Sequence, residues 1–192
     1  MGKPLRLTFF FERCWLNSRG KIPAANPMGR YPPLSPTLRQ QLERIRPSVS
    51  GDLHYYPCEA KLLNGDVLTC VYLVPDHPYL GFWGVYPEND RGKNWIRLQD
   101  VAEVVDSSSR LPAKFATKLY KHGESGMGYT IFTVVFWDLS RQAYATGNAV
   151  DFIRYPEGKG PKDVLWVLPH RGRNAQPLSC PTYYWCLYSE GS

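Results

Sequence analysis

Apolar and polar residues follow one another along most of this chain in short runs that glycine and proline separate. Such runs are typical of strands joined by tight turns, because successive side chains of a strand point to opposite faces. The clearest example joins residues 54–63 to residues 66–74 through Asn64-Gly65. Asn-Gly between two apolar runs is a strong hairpin signal, so the sequence predicts a β-rich protein.

Two segments show helical spacing instead. The first begins with a serine in the N-cap position and a proline, and its apolar residues then recur at intervals of three and four. The second also begins at a proline, and it ends at a glycine of the kind that commonly terminates helices. The residues concerned are Ser35, Pro36, Leu38, Leu42 and Ile45 in the first segment and Pro112, Phe115, Ala116, Leu119 and Gly123 in the second.

A repeated binary pattern links two longer stretches. Residues 80–123 align with residues 129–172 without a gap, and most apolar and turn positions then coincide. We interpret this as a duplicated unit of strands followed by a short helix. The last element of the second copy, residues 161–170, fits a buried strand as well as a helix.

These elements predict an α+β protein with two similar antiparallel β units, each followed by a short helix, and a further N-terminal helix. Partly closed, SH3-like barrels fit the short strands and tight turns. We divide the chain into an N-terminal strand, loop and helix (1–52), a first β unit with hairpin and helix (53–123), a second β unit (129–172) and an aromatic C-terminal tail (173–192). The first strand is expected at Leu5–Trp15.

The composition is that of a folded domain. Aromatic residues make up 14% of the 192 residues, and 17 prolines and 16 glycines punctuate the chain. The longest apolar runs are far shorter than the roughly 20 residues that cross a bilayer as a helix. Five cysteines without CxxC spacing favour reduced thiols over disulfides or a metal site. We therefore expect a soluble, cytoplasmic protein with no cofactor, no metal and no membrane partner.

The charge adds one further consideration. The net charge of +6 would attract anionic partners if the basic residues clustered on one face. In sequence they are mostly dispersed, and a solvated surface explains them about equally well.

One segment resembles a catalytic motif. Ser125 lies in the glycine-rich segment His122–Gly128, but a nucleophile elbow needs glycine on both sides of the serine, and only the preceding one is present. A catalytic role predicts that Ser125, His122 and His170 approach one another within hydrogen-bond distance. The structural alternative is a flexible connection from a helix to a strand.

Aromatic and cationic residues are interleaved in residues 79–97, where we predict a hairpin that begins with a strand at 79–86. On such a strand, Phe82 and Tyr86 would share one face and Trp83 would lie on the other. One face would then belong to the core and the other would bind a partner, unless the fold buries both. The candidate binding residues are Trp83, Tyr86, Trp95, Arg97, Arg171 and Arg173.

These patterns favour a non-enzymatic binding protein that uses an exposed aromatic and basic face, with another protein as the expected partner. Tyrosine, tryptophan and arginine are the residue types that most often anchor protein interfaces. Two alternatives stay open. One is a nucleic-acid-binding β-barrel protein that stacks bases on its aromatic residues. The other is a small hydrolase or transferase with a site near His122–Gly128 and His170.

Overall fold

The computed structural model describes residues 30–170 and 177–190, and every structural statement below refers to these residues. They form a mixed α+β fold that is mostly strand. The helices are α1 (Pro36–Leu42), α2 (Asp76–Trp83) and α3 (Ala113–His122). The strands are β1 (Ser48–Ser50), β2 (Leu53–Leu62), β3 (Val67–Pro75), β4 (Asn94–Trp95), β5 (Val101–Asp106), β6 (Thr130–Phe136), β7 (Arg141–Thr146), β8 (Val164–Pro169), β9 (Leu178–Ser179) and β10 (Tyr184–Tyr188).

Six strands form the first sheet. Strand β2 pairs with β3 on one side. On its other side, residues 53–55 of β2 pair with β1 and residues 58–62 pair with β5. β10 lies between β3 and β4 and is parallel to both. The predicted β2–β3 hairpin is confirmed, with Gly65 at a φ of 93° and the side chain of Asn64 accepting a hydrogen bond from the Asp66 N–H. Gly65 suits this turn because it lacks the Cβ that makes a positive φ costly.

Four strands form the second sheet. β6 is central and antiparallel to β8 and β7, while β9 pairs with β7 in a parallel orientation. Residues 161–170, for which the sequence allowed a helix or a strand, form a single 3-10 turn followed by β8. The Asp163 carboxylate accepts a hydrogen bond from the Gly160 N–H and closes that turn.

Each sheet is covered by a helix that the sequence predicted. The apolar stripe of α1, with Leu38 and Leu42, is buried against one face of the first sheet. Phe115 and Leu119 of α3 are buried against the second sheet. The other face of the first sheet packs against α2 and against residues 147–155, which follow β7, so an aromatic cluster joins the first sheet to the segment between β7 and β8.

One predicted strand is wrong, because residues 79–86 contain the end of α2 and the turn that follows it. The helix is favoured because Tyr79 and Trp83, four residues apart, lie on one helical face and both contact Trp185 of β10. Pro78 is in the first turn, where a missing N–H breaks no helical hydrogen bond. Gly84 ends the helix with a φ of 71°.

The predicted duplication has no support in the fold. Residues 80–123 contain the end of α2, two strands and α3, whereas residues 129–172 contain three strands. No helix follows the second unit among the described residues, and these form no closed barrel, so the SH3-like description stays a prediction. The predicted segment boundaries also stay a prediction, although the first sheet takes strands from segments 1–52, 53–123 and 173–192.

The strand expected at Leu5–Trp15 lies outside the described residues. Within the described part of the chain, none of the α-helices combines the length and apolar composition that crossing a bilayer requires.

Candidate functional site

Helix α2 carries apolar side chains on two sides. Tyr79 and Trp83 point inward and contact Trp185, which is fully buried. Phe82 contacts the edge of this cluster, with its ring centre 5.5 Å from that of Trp83, but is 49% exposed on the outer side. An apolar helix face is normally covered by another element, so the outer face of α2 is unusually open.

An open groove with a volume of about 1210 Å³ runs along this outer face. Its walls are the outer face of α2, the turn between β1 and β2, and Arg30. Leu80 and Val85 contribute aliphatic surface, while Gly81 leaves open space, since a Cβ added there would meet no atom within 4 Å. The groove therefore offers an apolar floor to which a second chain can approach closely.

At the rim of the groove, the charge of Arg30 is balanced by Glu88. Arg30 contacts Glu88 at 2.8 Å, and its guanidinium lies 4.3 Å from the centre of the Tyr86 ring. The Tyr31 hydroxyl donates to Glu88 at 2.7 Å. Burial, with this hydrogen bond and the Glu88 charge adding to it, raises the pKa of Tyr31, so the phenol remains a donor at neutral pH. Arg30 and Tyr86 thus form a rigid wall of the groove.

On the inner side of α2, a lysine sits among aromatic rings. The Lys93 ammonium lies 4.1 Å from the centre of the Trp83 ring and donates to the Tyr79 hydroxyl at 3.0 Å. Asp90 is 3.5 Å away. Burial lowers the pKa of Lys93, and the Asp90 charge opposes that effect. This cation–π contact fixes residues 84–95 against the core and holds α2 in place.

The described residues among the predicted binding residues do not form one surface. Tyr86, just after α2, lines the groove, whereas Trp83 lies on the inner side of α2. Trp95 in β4 and Arg97 just after it are exposed but do not line the groove. The remaining two candidates, Arg171 and Arg173, lie outside the described residues.

Of the three predicted catalytic residues, Ser125 and His170 meet, and they do so only through the main chain of His170. The Ser125 hydroxyl accepts a hydrogen bond from the Ile131 N–H at 2.8 Å and donates to the His170 carbonyl at 2.7 Å. The His170 imidazole bonds instead to the Thr133 hydroxyl at 2.7 Å. His122 is exposed at the end of α3. This arrangement ties a glycine-rich turn to β6 and β8, and the serine hydroxyl meets backbone groups rather than an imidazole.

A buried polar network connects the first sheet to α3 and to the segment that follows β7. The Asp151 carboxylate is fully enclosed and accepts hydrogen bonds from the hydroxyls of Ser48 and Tyr120, the latter at 2.6 Å. Its N–H donates to the Tyr72 hydroxyl at 3.0 Å. Burial raises the pKa of Asp151, and the hydrogen bonds oppose that rise. Because no solvent reaches the carboxylate, we assign it a structural role.

The described residues show no metal-binding constellation, since no three histidine, cysteine or acidic side chains are grouped closely enough to hold an ion. Burial raises the pKa of the Cys58 thiol to about 12, which makes it a poor nucleophile at neutral pH.

Sequence reasoning missed the groove-lining role of Leu80, Phe82 and Val85. The available signal was the helical spacing of Tyr79 and Trp83 together with Gly84, a residue of the kind that ends helices.

Comparisons with protein-family models, with curated proteins and with solved structures find no match to this chain.

Proposed function

We propose that this protein is a non-enzymatic binding module whose α2 groove holds an apolar segment of another protein. The supporting observation is the outer face of α2, where Leu80 and Phe82 line an open groove. Burying such side chains contributes about 1.5–3 kcal/mol each, and several must be buried together to offset the entropy lost on association.

The dimensions of the groove favour a protein segment over a small molecule. Its volume of about 1210 Å³ exceeds that of most small-molecule pockets, which hold roughly 300–1,000 Å³. The groove is also open along its length, as an extended or helical peptide requires.

Its charges favour a protein over nucleic acid. Arg30 is paired with Glu88, and Asp52 on the β1–β2 turn adds a carboxylate to the same lining. Phosphates bind where unpaired cations cluster, which is not the pattern of this rim. The contacts of Ser125 likewise give the hydrolase alternative little support, because a nucleophilic serine needs a general base beside it.

Peptide selection on the intact protein tests this proposal. A displayed library of random peptides would be enriched on the full chain and then tested against Gly81→Glu and Phe82→Ser. Gly81 has open space around its Cβ position, so the glutamate should leave the fold intact while placing a charge in the groove. Leu63→Ser is the matched control, since Leu63 is 71% exposed in the distant β2–β3 hairpin.

We expect enriched peptides to share at least two large apolar residues and to bind the wild type with micromolar affinity. Their affinity for each of the two groove variants should be lower by about tenfold or more. Affinity for Leu63→Ser should equal that of the wild type. The proposal fails if no peptide is enriched, or if the enriched peptides bind Gly81→Glu as tightly as the unaltered chain.

A cytoplasmic location is part of the same proposal. It is supported by Cys58, Cys70, Cys180 and Cys186, all of which are free thiols. Reduced cysteines persist in compartments where thiols are kept reduced.

A further inference from the structure

The hairpin that joins β6 to β7 presents large apolar side chains to solvent. Trp137 is 67% exposed and Leu139 is 72% exposed at its tip. Turn tips usually carry small or polar residues. Polar side chains form hydrogen bonds with the backbone of the turn, and glycine, asparagine and aspartate tolerate a positive φ. The conformation of the turn therefore does not account for two large apolar residues at its tip.

The backbone at this tip makes the choice of leucine more unusual. Leu139 has a φ of 65°, in the left-handed region, where asparagine or glycine is less strained. Its N–H donates to the Phe136 carbonyl at 2.9 Å, and the Asp138 carboxylate accepts from the Ser140 N–H at 3.1 Å. The turn is thus well ordered and holds Leu139 outward at a cost to local stability, which points to a partner that contacts it.

The apolar surface continues along the neighbouring edge strand. The Trp137 N–H donates to the Asp163 carbonyl, one residue before β8 begins. In β8, Trp166 is 49% exposed and Leu168 is 38% exposed. Trp166 lies opposite Val135, the residue next but one before Trp137. Two tryptophans and two leucines therefore form one exposed band at this end of the second sheet.

Cations surround this band. The Lys118 ammonium lies 3.6 Å from the centre of the Trp166 ring, and Lys159 lies 4.9 Å from the centre of the Phe136 ring. Arg141 pairs with Val135 across the sheet. The basic residues of the elements that adjoin the band are Lys114 and Lys118 in α3, Arg141 in β7, and Lys159 and Lys162 just before β8; the acidic residues are Asp138, Glu157 and Asp163.

Two of these carboxylates are already engaged. Lys159 pairs with Asp138 and, by hydrogen bonding, lowers the pKa of that carboxyl to about 2. The Asp163 carboxylate accepts the Gly160 N–H. Because five cations accompany three carboxylates, the band presents a net positive rim around indole and aliphatic side chains.

We propose that the β6–β7 hairpin and the adjoining edge of β8 bind the surface of an anionic membrane. Trp137 and Leu139 would insert at the boundary between headgroups and acyl chains, where indole rings are favoured. The surrounding lysines and Arg141 would contact anionic headgroups. No membrane-spanning segment is needed, so our sequence-based expectation of no membrane partner, which rested on segment length, does not bear on this surface.

The composition of the band favours lipid over single-stranded nucleic acid. Bases stack on aromatic rings, which accounts for tryptophan but not for an exposed leucine at the tip. Aliphatic insertion beside lysine and tryptophan is the pattern of interfacial membrane binding. This surface is separate from the α2 groove and shares no residue with its lining.

Vesicle co-sedimentation of the full chain tests this proposal. The probes are vesicles of pure phosphatidylcholine and vesicles of equimolar phosphatidylcholine and phosphatidylserine. The variants are Trp137→Ala and Leu139→Asn, and Leu63→Asn in the β2–β3 turn is the matched control. Asparagine suits the left-handed conformation, so Leu139→Asn removes the apolar side chain without loss of folding.

We expect the wild type to sediment with the anionic vesicles and to dissociate as salt rises, because the headgroup contacts are screened. Each hairpin variant should reduce the partition coefficient by about tenfold, while Leu63→Asn should leave it unchanged.

Three results would overturn the inference. The first is failure to sediment with anionic vesicles at low salt. The second is equal binding by Leu139→Asn and the wild type. The third is binding to an oligothymidine probe that Trp137→Ala abolishes, with no binding to vesicles, which would assign the band to single-stranded nucleic acid instead.

Discussion

At the scale of single residues, Asp151 is a fully buried carboxylate held by hydrogen bonds. Its carboxylate is excluded from solvent, and the hydroxyls of Ser48 and Tyr120 supply the hydrogen bonds that replace water. A buried charged acceptor strengthens each of these bonds but makes the loss of any one of them costly. The network also joins the first sheet to α3 and to the segment that follows β7, so its integrity affects how these elements are held together.

Replacing this carboxylate should destabilise the protein strongly. We expect Asp151→Ala to lower the free energy of unfolding by about 3 kcal/mol or more, because it removes the acceptor of two buried hydroxyls and opens a small cavity. Tyr120→Phe should cost about 1.5–3 kcal/mol, because it removes the hydrogen bond to Asp151 and the one accepted from the Val150 N–H. Urea unfolding measures both values.

The exposed Glu157 provides the control for this experiment. Glu157→Ala should change the free energy of unfolding by less than about 0.5 kcal/mol. A value of similar size for Asp151→Ala would show that the network contributes nothing to stability.

At the scale of the element, α2 shows how tertiary contacts choose between a helix and a strand. Its eight residues are rich in aromatic side chains, which are also common in strands. The helix places Tyr79 and Trp83 side by side on Trp185, and Gly84 then reverses the chain. Two glycines, Gly81 inside the helix and Gly84 at its end, have different roles.

Alanine at these two glycines should have opposite effects on stability. Gly81→Ala should raise the free energy of unfolding by about 0.5–1 kcal/mol, because alanine is the better helix former and its Cβ meets no atom within 4 Å. Gly84→Ala should lower it by about 1 kcal/mol, since Gly84 has a φ of 71°. Thermal or urea unfolding of the pair provides the test, and equal signs would contradict it.

At the scale of the whole molecule, buried tyrosines determine the response to alkaline pH. Burial raises the pKa of Tyr144 and of Tyr183 from 10.0 to about 12. It also raises the pKa of the tyrosines in the aromatic cluster and elsewhere in the core. These further residues are Tyr31, Tyr55, Tyr56, Tyr72, Tyr79, Tyr120, Tyr155 and Tyr188.

Stability should therefore fall above pH 10. Below that value, tyrosines are protonated in the folded and unfolded chains alike, and their contribution is fully present. As the pH rises from 10 toward 12, the unfolded chain loses these protons first, so the free energy of unfolding decreases. Burial lowers the pKa of Lys93, so this lysine makes the free energy of unfolding rise with pH. Its single contribution is smaller than the combined effect of the tyrosines.

Urea midpoints measured between pH 7 and pH 11 test this prediction. We expect a plateau that ends near pH 9, where the buried cysteine thiols begin to ionise in the unfolded chain, and a steeper fall beyond pH 10, where the tyrosines follow. A midpoint that stays constant through pH 11 would show that the tyrosines ionise as readily in the folded protein as in the unfolded chain.

Local signals explain which parts of the fold could be predicted. The serine cap and apolar stripe of α1, the Asn64-Gly65 turn and the terminating Gly123 of α3 all act within a few residues of one another. The repeated binary pattern was misleading because it records only where apolar residues fall. Leu80 in a helix and Tyr129 before a strand satisfy the same pattern.

The amino-acid sequence by itself determined the β-rich α+β class, two helices and one hairpin, because these depend on contacts between near neighbours. The tertiary structure decided that α2 is a helix, that β10 lies parallel to β3, and that the outer face of α2 borders an open groove. The physical reason is that Trp185, far along the chain, supplies the surface on which Tyr79 and Trp83 pack. Such long-range packing outweighs the weak local preferences of a short aromatic segment.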